Sequence, residues 1–187
     1  MLVTGNRESG KTSLCFKIVK NAVEKGLSVE GLISQKLFEK GKAKQIFCID
    51  IKSGEKTPLA LWEPGWDAIN PMRDWKVNPA APNWGNERLA RIIRTDILIV
   101  DELGYQEFEQ NSGWVTAFNI IGKKEIGISI VVVRPSLIHK AKEHWPNAVE
   151  VNLDRDSQEE IMITVEKYLL AIAKEKKRNA DRNGDIE

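Results

Sequence analysis

Apolar residues follow two different patterns along this chain. Apolar runs, which are typical of buried parallel strands, occur at residues 97–100 (ILIV), without interruption, and at residues 128–133 (ISIVVV), where Ser129 is the one polar residue. Other apolar residues recur every three or four positions, as on one face of a helix. These are Leu14, Ile18 and Ala22, and then Ile161, Val165, Leu169 and Ile172. The two patterns predict buried strands and amphipathic helices in one chain.

Strands and helices alternate in the predicted order. Strands are predicted at residues 1–5, 27–34, 97–100, 128–133 and 148–153; helices are predicted at 12–26, from about Asn86, at 112–124, at 135–145 and from 157 onward. Gly26 is a C-cap signal, and Ser157 with Glu160 forms a capping box. The alternation predicts an α/β fold with a mainly parallel sheet and helices on both faces.

Two stretches depart from this alternation. Residues 35–60 alternate apolar and polar positions around Gly41 and Gly54, which predicts one or two antiparallel hairpins. Residues 62–84 hold four of the six tryptophans and four of the seven prolines, which argues against a long helix. We expect one domain over residues 1–175, with 62–84 as an irregular, packed insert and 176–187 as a charged tail.

Composition excludes several classes of protein. The chain has 187 residues, 42% of them hydrophobic and 29% charged, with a net charge of +1. A balanced charge does not favour a general nucleic-acid binder, and no apolar run approaches the length that spans a bilayer. The two cysteines, Cys15 and Cys48, lack metal-ligand spacing. We therefore expect a cytoplasmic protein with reduced thiols and no secretory signal.

The candidate chemistry begins four residues into the chain. Residues 5–12, GNRESGKT, match the phosphate-loop pattern G-x-x-x-x-G-K-[ST], between a predicted strand and a predicted helix. Backbone N–H groups of such a loop and the positive end of the following helix bind phosphates. The expected nucleotide-binding residues are therefore Gly5, Asn6, Arg7, Glu8, Ser9, Gly10, Lys11, Thr12 and Ser13. Lys11 would reach the β- and γ-phosphates, and the hydroxyl of Thr12 would bind Mg²⁺.

A second motif follows about ninety residues later. The apolar run ILIV ends in Asp101 and Glu102. Asp101 would hold Mg²⁺, directly or through water, and Glu102 would polarise an attacking water. Glu8 is an unusual acid inside the loop, and we expect its side chain to point to solvent.

With both motifs in place, the chain resembles the cancer-related nucleoside-triphosphatase family of small P-loop proteins. The resemblance rests on VTGNRESGKTSL, the hairpin stretch at 30–60, TDILIVDELGYQEFE and the late NLDRDS. Gln106 stands where the family has methionine, and Arg7 and Glu8 replace its usual proline and glycine. Membership implies a three-layer P-loop fold whose five parallel strands lie in the order 5-1-4-3-2, beside an added hairpin. It also implies hydrolysis of nucleoside triphosphates with Mg²⁺ and a loose base preference.

Other residues carry hypotheses of their own. Arg134 ends an apolar strand and would sense the γ-phosphate, unless it simply pairs with Glu102 or Glu107. Glu107 would orient water or Mg²⁺, and Arg155 would stack on a nucleobase. Three arginines spaced by three, Arg88, Arg91 and Arg94, would share a helix face, as in the lid of a kinase, or form a solvated surface. Trp66, Trp75 and Trp84 would line a base pocket or, more simply, pack on the domain.

Three functions remain open on these grounds. The leading hypothesis is Mg²⁺-dependent hydrolysis of a nucleoside triphosphate to the diphosphate, because Glu102 supplies a base for water. The alternatives are a nucleotide or nucleoside kinase and a slow nucleotide-gated switch. The expected partner is the triphosphate substrate. Nucleic acid is not expected, and a protein partner is left open.

Overall fold

A single eight-stranded sheet forms the centre of the molecule. The computed structural model describes residues 1–65 and 74–184. The strands are β1 Leu2–Thr4, β2 Val29–Glu39, β3 Lys42–Asp50, β4 Lys56–Trp62, β5 Trp75–Val77, β6 Thr95–Leu103, β7 Ile126–Val133 and β8 Glu150–Asn152. The helices are α1 Lys11–Glu24, α2 Ala81–Ala90, α3 Tyr105–Glu109, α4 Thr116–Ile120, α5 Ile138–His144 and α6 Gln158–Gly184.

The sheet order agrees with the sequence prediction. The strands lie in the order β5-β4-β3-β2-β6-β7-β1-β8. Strands β8, β1, β7, β6 and β2 are parallel to their neighbours and, counted along the chain, follow the order 5-1-4-3-2. Strands β3, β4 and β5 extend the sheet in antiparallel fashion beyond β2. The α/β prediction and the added hairpin are therefore confirmed.

Helices cover both faces of the parallel part, as predicted. Alternate residues of β6 enter different cores: Ile97 and Ile99 pack on one face, and Leu98 and Val100 on the other. The first core includes residues of α1 and α6, and the second includes residues of α2, α4 and α5. All four residues of ILIV are fully buried, which explains why this strand shows no polar alternation.

The end of α1 follows from Gly26. Its φ angle of +70° lies in the left-handed region, which glycine adopts without strain. The N–H of Gly26 donates to the carbonyl of Val23 (2.9 Å), and the N–H of Leu27 donates to that of Ala22 (3.0 Å). These two bonds form a Schellman motif, which satisfies the last carbonyls of the helix. The predicted C-cap is therefore confirmed.

Residues 62–84 are more regular than predicted where they are described. β5 pairs with β4, and α2 begins at Ala81 rather than near Asn86. The predicted start was wrong because Pro82 was treated as a helix breaker, whereas proline is well tolerated in the first turn of a helix. Trp66 lies outside the described residues.

The end of α2 also differs from the prediction. The helix ends at Ala90, Arg91 is its C-cap, and Arg94 lies beyond it. The three arginines therefore do not share one helix face. Arg88 instead forms ion pairs with Asp50 (3.5 Å) and Glu55 and stacks on Trp84.

The last helix begins as predicted and extends further. The N–H of Ser157 donates to the carboxylate of Glu160 (2.9 Å), and the N–H of Glu160 donates to the hydroxyl of Ser157 (3.2 Å). This reciprocal pair is a capping box. The helix continues to Gly184, through most of the predicted tail, where lysine and arginine, which favour helix, are frequent.

Candidate functional site

The phosphate loop, residues 5–12, lies between β1 and α1 as the motif requires. Gly5 and Gly10 have φ angles of +147° and +93°, in a region that glycine adopts most readily. Glu8 also has a positive φ, +68°, and its side chain is 74% exposed near Arg7. The carboxylate of Glu8 therefore points to solvent. Its charge does not occupy the centre of the loop, which backbone groups line.

The start of α1 presents unpaired amide groups. The first backbone bond at this end of the helix runs from the N–H of Leu14 to the carbonyl of Gly10 (2.9 Å). The N–H groups of Lys11, Thr12 and Ser13 therefore have no acceptor within the helix. No acidic side chain occupies its first turn, and no side chain caps it. Unpaired N–H groups together with the positive helix end attract a phosphate group.

The side chain of Lys11 folds back over the loop. Its Nζ donates to the carbonyl oxygens of Gly5 and Asn6, at 2.7 Å each. These bonds hold the ammonium group at the mouth of the loop. With a phosphate bound there, Lys11 would exchange its neutral carbonyl acceptors for charged phosphate oxygens, which form stronger hydrogen bonds with an ammonium group.

Asp101 ends the buried part of β6 beside the loop. Its side chain is almost fully buried, and its Oδ2 has no hydrogen-bond partner among the described residues. The hydroxyl of Thr12 lies near this carboxylate and favours its charged form. Burial, with a smaller contribution from the nearby charge of Glu102, raises the pKa of Asp101 to about 7, although Thr12 opposes the shift. An unpartnered buried carboxylate oxygen is a site that a cation would satisfy.

Two more buried hydroxyl groups lie in this region. The side-chain oxygens of Thr4, at the end of β1, and Ser9, in the loop, also have no partner among the described residues. The hydroxyl of Ser34, on β2, donates to the backbone carbonyl of Asp101 (2.8 Å) and so fixes the strand end. Polar groups from three strands and the loop therefore meet at the carboxyl edge of the sheet, where open α/β folds bind ligands.

Glu102 and Arg134 form an ion pair at the same edge. The Nε of Arg134 donates to Oε1 of Glu102 at 2.7 Å. The side chain of Arg134 is 59% exposed and that of Glu102 is 31% exposed. Pairing with Glu102 was one of the two hypotheses for Arg134, and its role toward the γ-phosphate stays a prediction.

Glu107 bonds to backbone groups. One carboxylate oxygen accepts the N–H of Gly104 (2.7 Å), and the other accepts the N–H of Trp114 (2.9 Å). A Cβ on Gly113 would lie 1.9 Å from the second oxygen, so the chain passes very close to this carboxylate. In this structure Glu107 holds the segment after Glu102 in place. Its proposed role toward water or Mg²⁺ stays a prediction.

The segment after β8 reaches the phosphate loop. Both carboxylate oxygens of Asp154 accept the N–H of Asn6, at 2.8 and 3.0 Å. A Cβ on Gly10 would lie 2.6 Å from Nε2 of Gln158, which places this amide over the start of α1. Arg155 lies between them in sequence, is 66% exposed and pairs with Glu150 (3.1 Å).

Sequence reasoning missed Asp154 and Gln158. The available signal was position, because both residues follow the last parallel strand, whose carboxyl end meets that of β1 at the same sheet edge. Asp154 also lies within NLDRDS, but only Arg155 was singled out there. A carboxylate that accepts a loop N–H could not be recognised without the fold.

Two of the tryptophans that were candidates for a base pocket, Trp75 and Trp84, are described in the structure. Trp75 is on β5, six strand positions from β1, which corresponds to roughly 29 Å at the usual strand spacing. Trp84 packs against the core beneath α2 and α4. Both positions agree with the simpler hypothesis of packing, and the position of Trp75 separates its side chain from the phosphate loop.

The fold and this edge define a P-loop nucleotide-binding protein. A family model described as NTPase matches residues 1–166, and the chain belongs to that family. Nucleoside-triphosphatase THEP1 of Methanocaldococcus jannaschii is 32% identical over 110 residues, which span 58% of this chain and 64% of that relative. Nucleoside-triphosphatase THEP1 of Methanopyrus kandleri is 24% identical over 91% of this chain and 94% of that relative.

Solved structures share the fold. The solution structure of a human cancer-related nucleoside triphosphatase has a TM-score of 0.67 at 14% identity and covers 89% of this chain and 95% of that one. The crystal structure of THEP1 from Aquifex aeolicus has a TM-score of 0.60 at 21% identity and covers 89% of this chain and 98% of that one. The family resemblance inferred from the sequence is therefore confirmed.

The described residues contain neither a helix that could cross a membrane nor a cluster of metal-binding side chains. Across residues 1–65 and 74–184, no helix has both the length and the apolar character needed to cross a bilayer. The same residues contain no cluster of three or more His, Cys, Asp or Glu side chains suited to a metal ion. A P-loop magnesium site needs no such cluster, since Mg²⁺ is commonly held by one or two protein groups together with substrate phosphates and water.

Proposed function

We propose that this protein hydrolyses nucleoside 5′-triphosphates to the diphosphate and phosphate, with Mg²⁺ and a loose base preference. The observation that carries the proposal is the buried Oδ2 of Asp101, which has no hydrogen-bond partner among the described residues, beside the hydroxyl of Thr12 and the amides at the start of α1 that have no acceptor within the helix. This set combines anion-binding and cation-binding groups within one site. A magnesium–triphosphate complex has the matching charges.

Each phosphate-binding role is assigned to a group near the loop. The N–H groups at the start of α1 and the ammonium group of Lys11 would bind the β- and γ-phosphates. Thr12 and Asp101 would hold Mg²⁺, which supplies charge neutralisation on the phosphates when bound. Arg155 and Gln158 lie beyond the loop, where the nucleoside would extend.

Glu102 is the proposed base. It lies next to Asp101 at the mouth of the site and is partly exposed, so water can reach its carboxylate. Glu102 would accept a proton from the attacking water as that oxygen bonds to the γ-phosphorus. The bond from the γ-phosphorus to the β,γ-bridging oxygen breaks, and the diphosphate leaves with that electron pair.

The arrangement gives the kinase alternative less support than the sequence did. Arg88 forms ion pairs with Asp50 and Glu55, on the side of β2 away from β6. Arg91 is the C-cap of α2 and Arg94 lies beyond the helix, so neither shares a helix face with Arg88. The arginine lid, one of the two hypotheses for these residues, is therefore not formed among the described residues. Glu102 beside the phosphate loop favours water as the acceptor.

A nucleotide panel tests the proposal. Phosphate release is measured with Mg²⁺ for the four common ribonucleoside triphosphates and the four deoxynucleoside triphosphates, with and without nucleoside monophosphates as acceptors. Steady release without an acceptor is expected. Release only with an acceptor would indicate a kinase, and tight binding with negligible release would indicate a switch.

Lys11→Ala is the matched control for that panel. Lys11 supplies the ammonium group that the motif directs to the β- and γ-phosphates, so its loss should lower the rate by about 10³-fold or more. Retention of the parent rate by this variant would place the activity outside the phosphate loop.

A further inference from the structure

The ion pair between Arg134 and Glu102 joins two strand ends at the mouth of the site. Glu102 follows Asp101 on β6, and Arg134 directly follows β7. Leu103 is paired with Val133, so both side chains leave the sheet at nearly the same level. The 2.7 Å bond between Nε and Oε1 holds the carboxylate of the proposed base.

The strand order brings the same arginine close to the phosphate loop. β7 lies between β6 and β1 in the sheet. Val132 is paired with Val3, so one residue further Val133 is level with Thr4, and Arg134 is level with Gly5, the first residue of the loop. Arg134 therefore stands between the proposed base on one side and the phosphate loop on the other.

The charges nearby favour a change of partner. Among the described residues, Glu102 is the one hydrogen-bond partner of the Arg134 side chain, and it engages Nε alone. Four further N–H donors of the guanidinium remain for another acceptor. Glu107 does not compete, because both of its oxygens accept backbone N–H groups. An exposed ion pair contributes little to stability, whereas a guanidinium binds a multiply charged phosphate strongly.

We propose that Arg134 exchanges partners when the triphosphate binds: it holds Glu102 in the nucleotide-free protein and moves to the γ-phosphate in the complex. This inference rests on the proposed function and adds a form of regulation to it. The exchange leaves the carboxylate of Glu102 free to accept the proton of the attacking water. The same move places positive charge on the phosphoryl group that is being transferred.

Through this exchange, Glu102 becomes free to act as a base only when a triphosphate is bound. A diphosphate fills the loop but has no γ-phosphate, so Arg134 stays on Glu102. After hydrolysis, departure of inorganic phosphate returns Arg134 to Glu102. The site therefore distinguishes triphosphate from diphosphate through one side chain.

Binding measurements test the preference for the triphosphate. Affinities for the β,γ-imido analogues of ATP and GTP, and for ADP and GDP, are measured calorimetrically with Mg²⁺. Arg134→Ala should weaken analogue binding about tenfold and change diphosphate binding by less than about twofold. The matched control is Lys140→Ala, which removes a similar ion pair, that of Lys140 with Glu109 (2.6 Å), and should change neither affinity. Equal losses for analogue and diphosphate would overturn the proposal.

The turnover number kcat provides a second readout, and the proposal predicts the direction in which it changes. Arg134→Ala should lower kcat by about 10- to 100-fold, because the charge on the γ-phosphate is lost, and Arg134→Lys should recover part of it. A rise in kcat would mean that Arg134 only restrains Glu102, and the proposal would be wrong.

The exchange itself can be observed by NMR. The Nε–H resonance of Arg134, identified by its loss in Arg134→Lys, is followed in protein labelled with ¹⁵N-arginine. The imido analogues should shift this resonance, and the diphosphates should leave it at its nucleotide-free position. A resonance unmoved by the analogues, or moved equally by both ligands, would overturn the proposal. Unchanged analogue affinity in Lys11→Ala would instead reject the proposed function.

Discussion

A buried carboxyl group with one unpartnered oxygen is unfavourable in a folded protein, and Asp101 is such a group. Burial raises its pKa to about 7, against an ordinary value of 3.8. A function that needs a cation beside the phosphate loop explains why the chain retains this group. At the scale of single residues, binding capacity and stability are therefore opposed.

This opposition predicts a pH dependence of stability. The folded protein holds the Asp101 proton more tightly than the unfolded chain does, so the free energy of unfolding falls as the pH rises from about 4 to about 7. The full loss is on the order of 4 kcal/mol. Asp101→Asn cannot ionise, so its stability relative to the parent should rise over this range and then level off.

Urea unfolding between pH 4.5 and 8.5, without divalent cations, measures that difference. Glu109→Gln serves as a control, because Glu109 lies away from the phosphate loop and pairs with Lys140. A difference between parent and Asp101→Asn that does not vary with pH would contradict the assignment of a raised pKa.

Glu102 and Asp101 should differ in what they contribute to turnover. Glu102→Gln keeps the side-chain shape but removes its basicity, so hydrolysis should fall by about 10²- to 10⁴-fold, with diphosphate binding retained. Asp101→Asn should weaken both Mg²⁺ dependence and nucleotide binding. Single-turnover hydrolysis and nucleotide titration compare the two variants, and parent-like hydrolysis by Glu102→Gln would exclude Glu102 as the base.

At the scale of elements, the junction of β2 with β6 depends on one glycine. Gly31 has a φ of +125°, and a Cβ there would lie 1.9 Å from the carbonyl oxygen of Ile99. This glycine lets the parallel strands approach, so that β2 can continue past the end of β6 into the antiparallel hairpin.

Gly31→Ala should therefore be far more disruptive than Gly54→Ala. Gly54 also has a positive φ, +72°, but nothing lies within 4 Å of its missing Cβ. The Gly54 variant should lose about 1–2 kcal/mol from backbone strain alone. The Gly31 variant should lose considerably more or fail to fold, as measured by urea unfolding and soluble yield. Similar losses for both variants would contradict the close approach.

At the scale of the whole molecule, α6 connects the nucleotide edge with the opposite end of α1. Its buried residues are Ile161, Val165 and Leu169, and Lys176 donates to the carboxylate of Asp96 (2.8 Å). The family match ends at residue 166, within this helix. Among the described side chains of α6, the buried ones therefore end at Leu169.

A chain ending at Lys177 should keep both stability and hydrolysis. It retains the buried face and Lys176, so the free energy of unfolding should change by less than about 1 kcal/mol. A chain ending at Lys167 removes Leu169 and should lose about 2–5 kcal/mol or more. Urea unfolding and phosphate release compare the two chains, and equal behaviour would show that the packing of Leu169 contributes little.

The sequence determined the parts of this protein that depend on local chemistry. Glycines that permit unusual backbone angles, a lysine and a threonine at fixed spacing, and an apolar run ending in two acids specify the phosphate loop and its partner strand. The apolar periods specified helices on both faces of the sheet. The capping box at Ser157 and the C-cap at Gly26 were readable because their bonds join residues only a few positions apart.

Only the tertiary structure decided which distant residues face one another. Asp154 accepts a loop N–H from a residue 148 positions away, and Arg134 pairs with Glu102 across two strand ends. The sequence placed Arg134 at the ligand edge but left its partner open between Glu102 and Glu107, because both lie about thirty positions away along the chain. Strand order and register, which set distances between segments far apart in the chain, selected one of them.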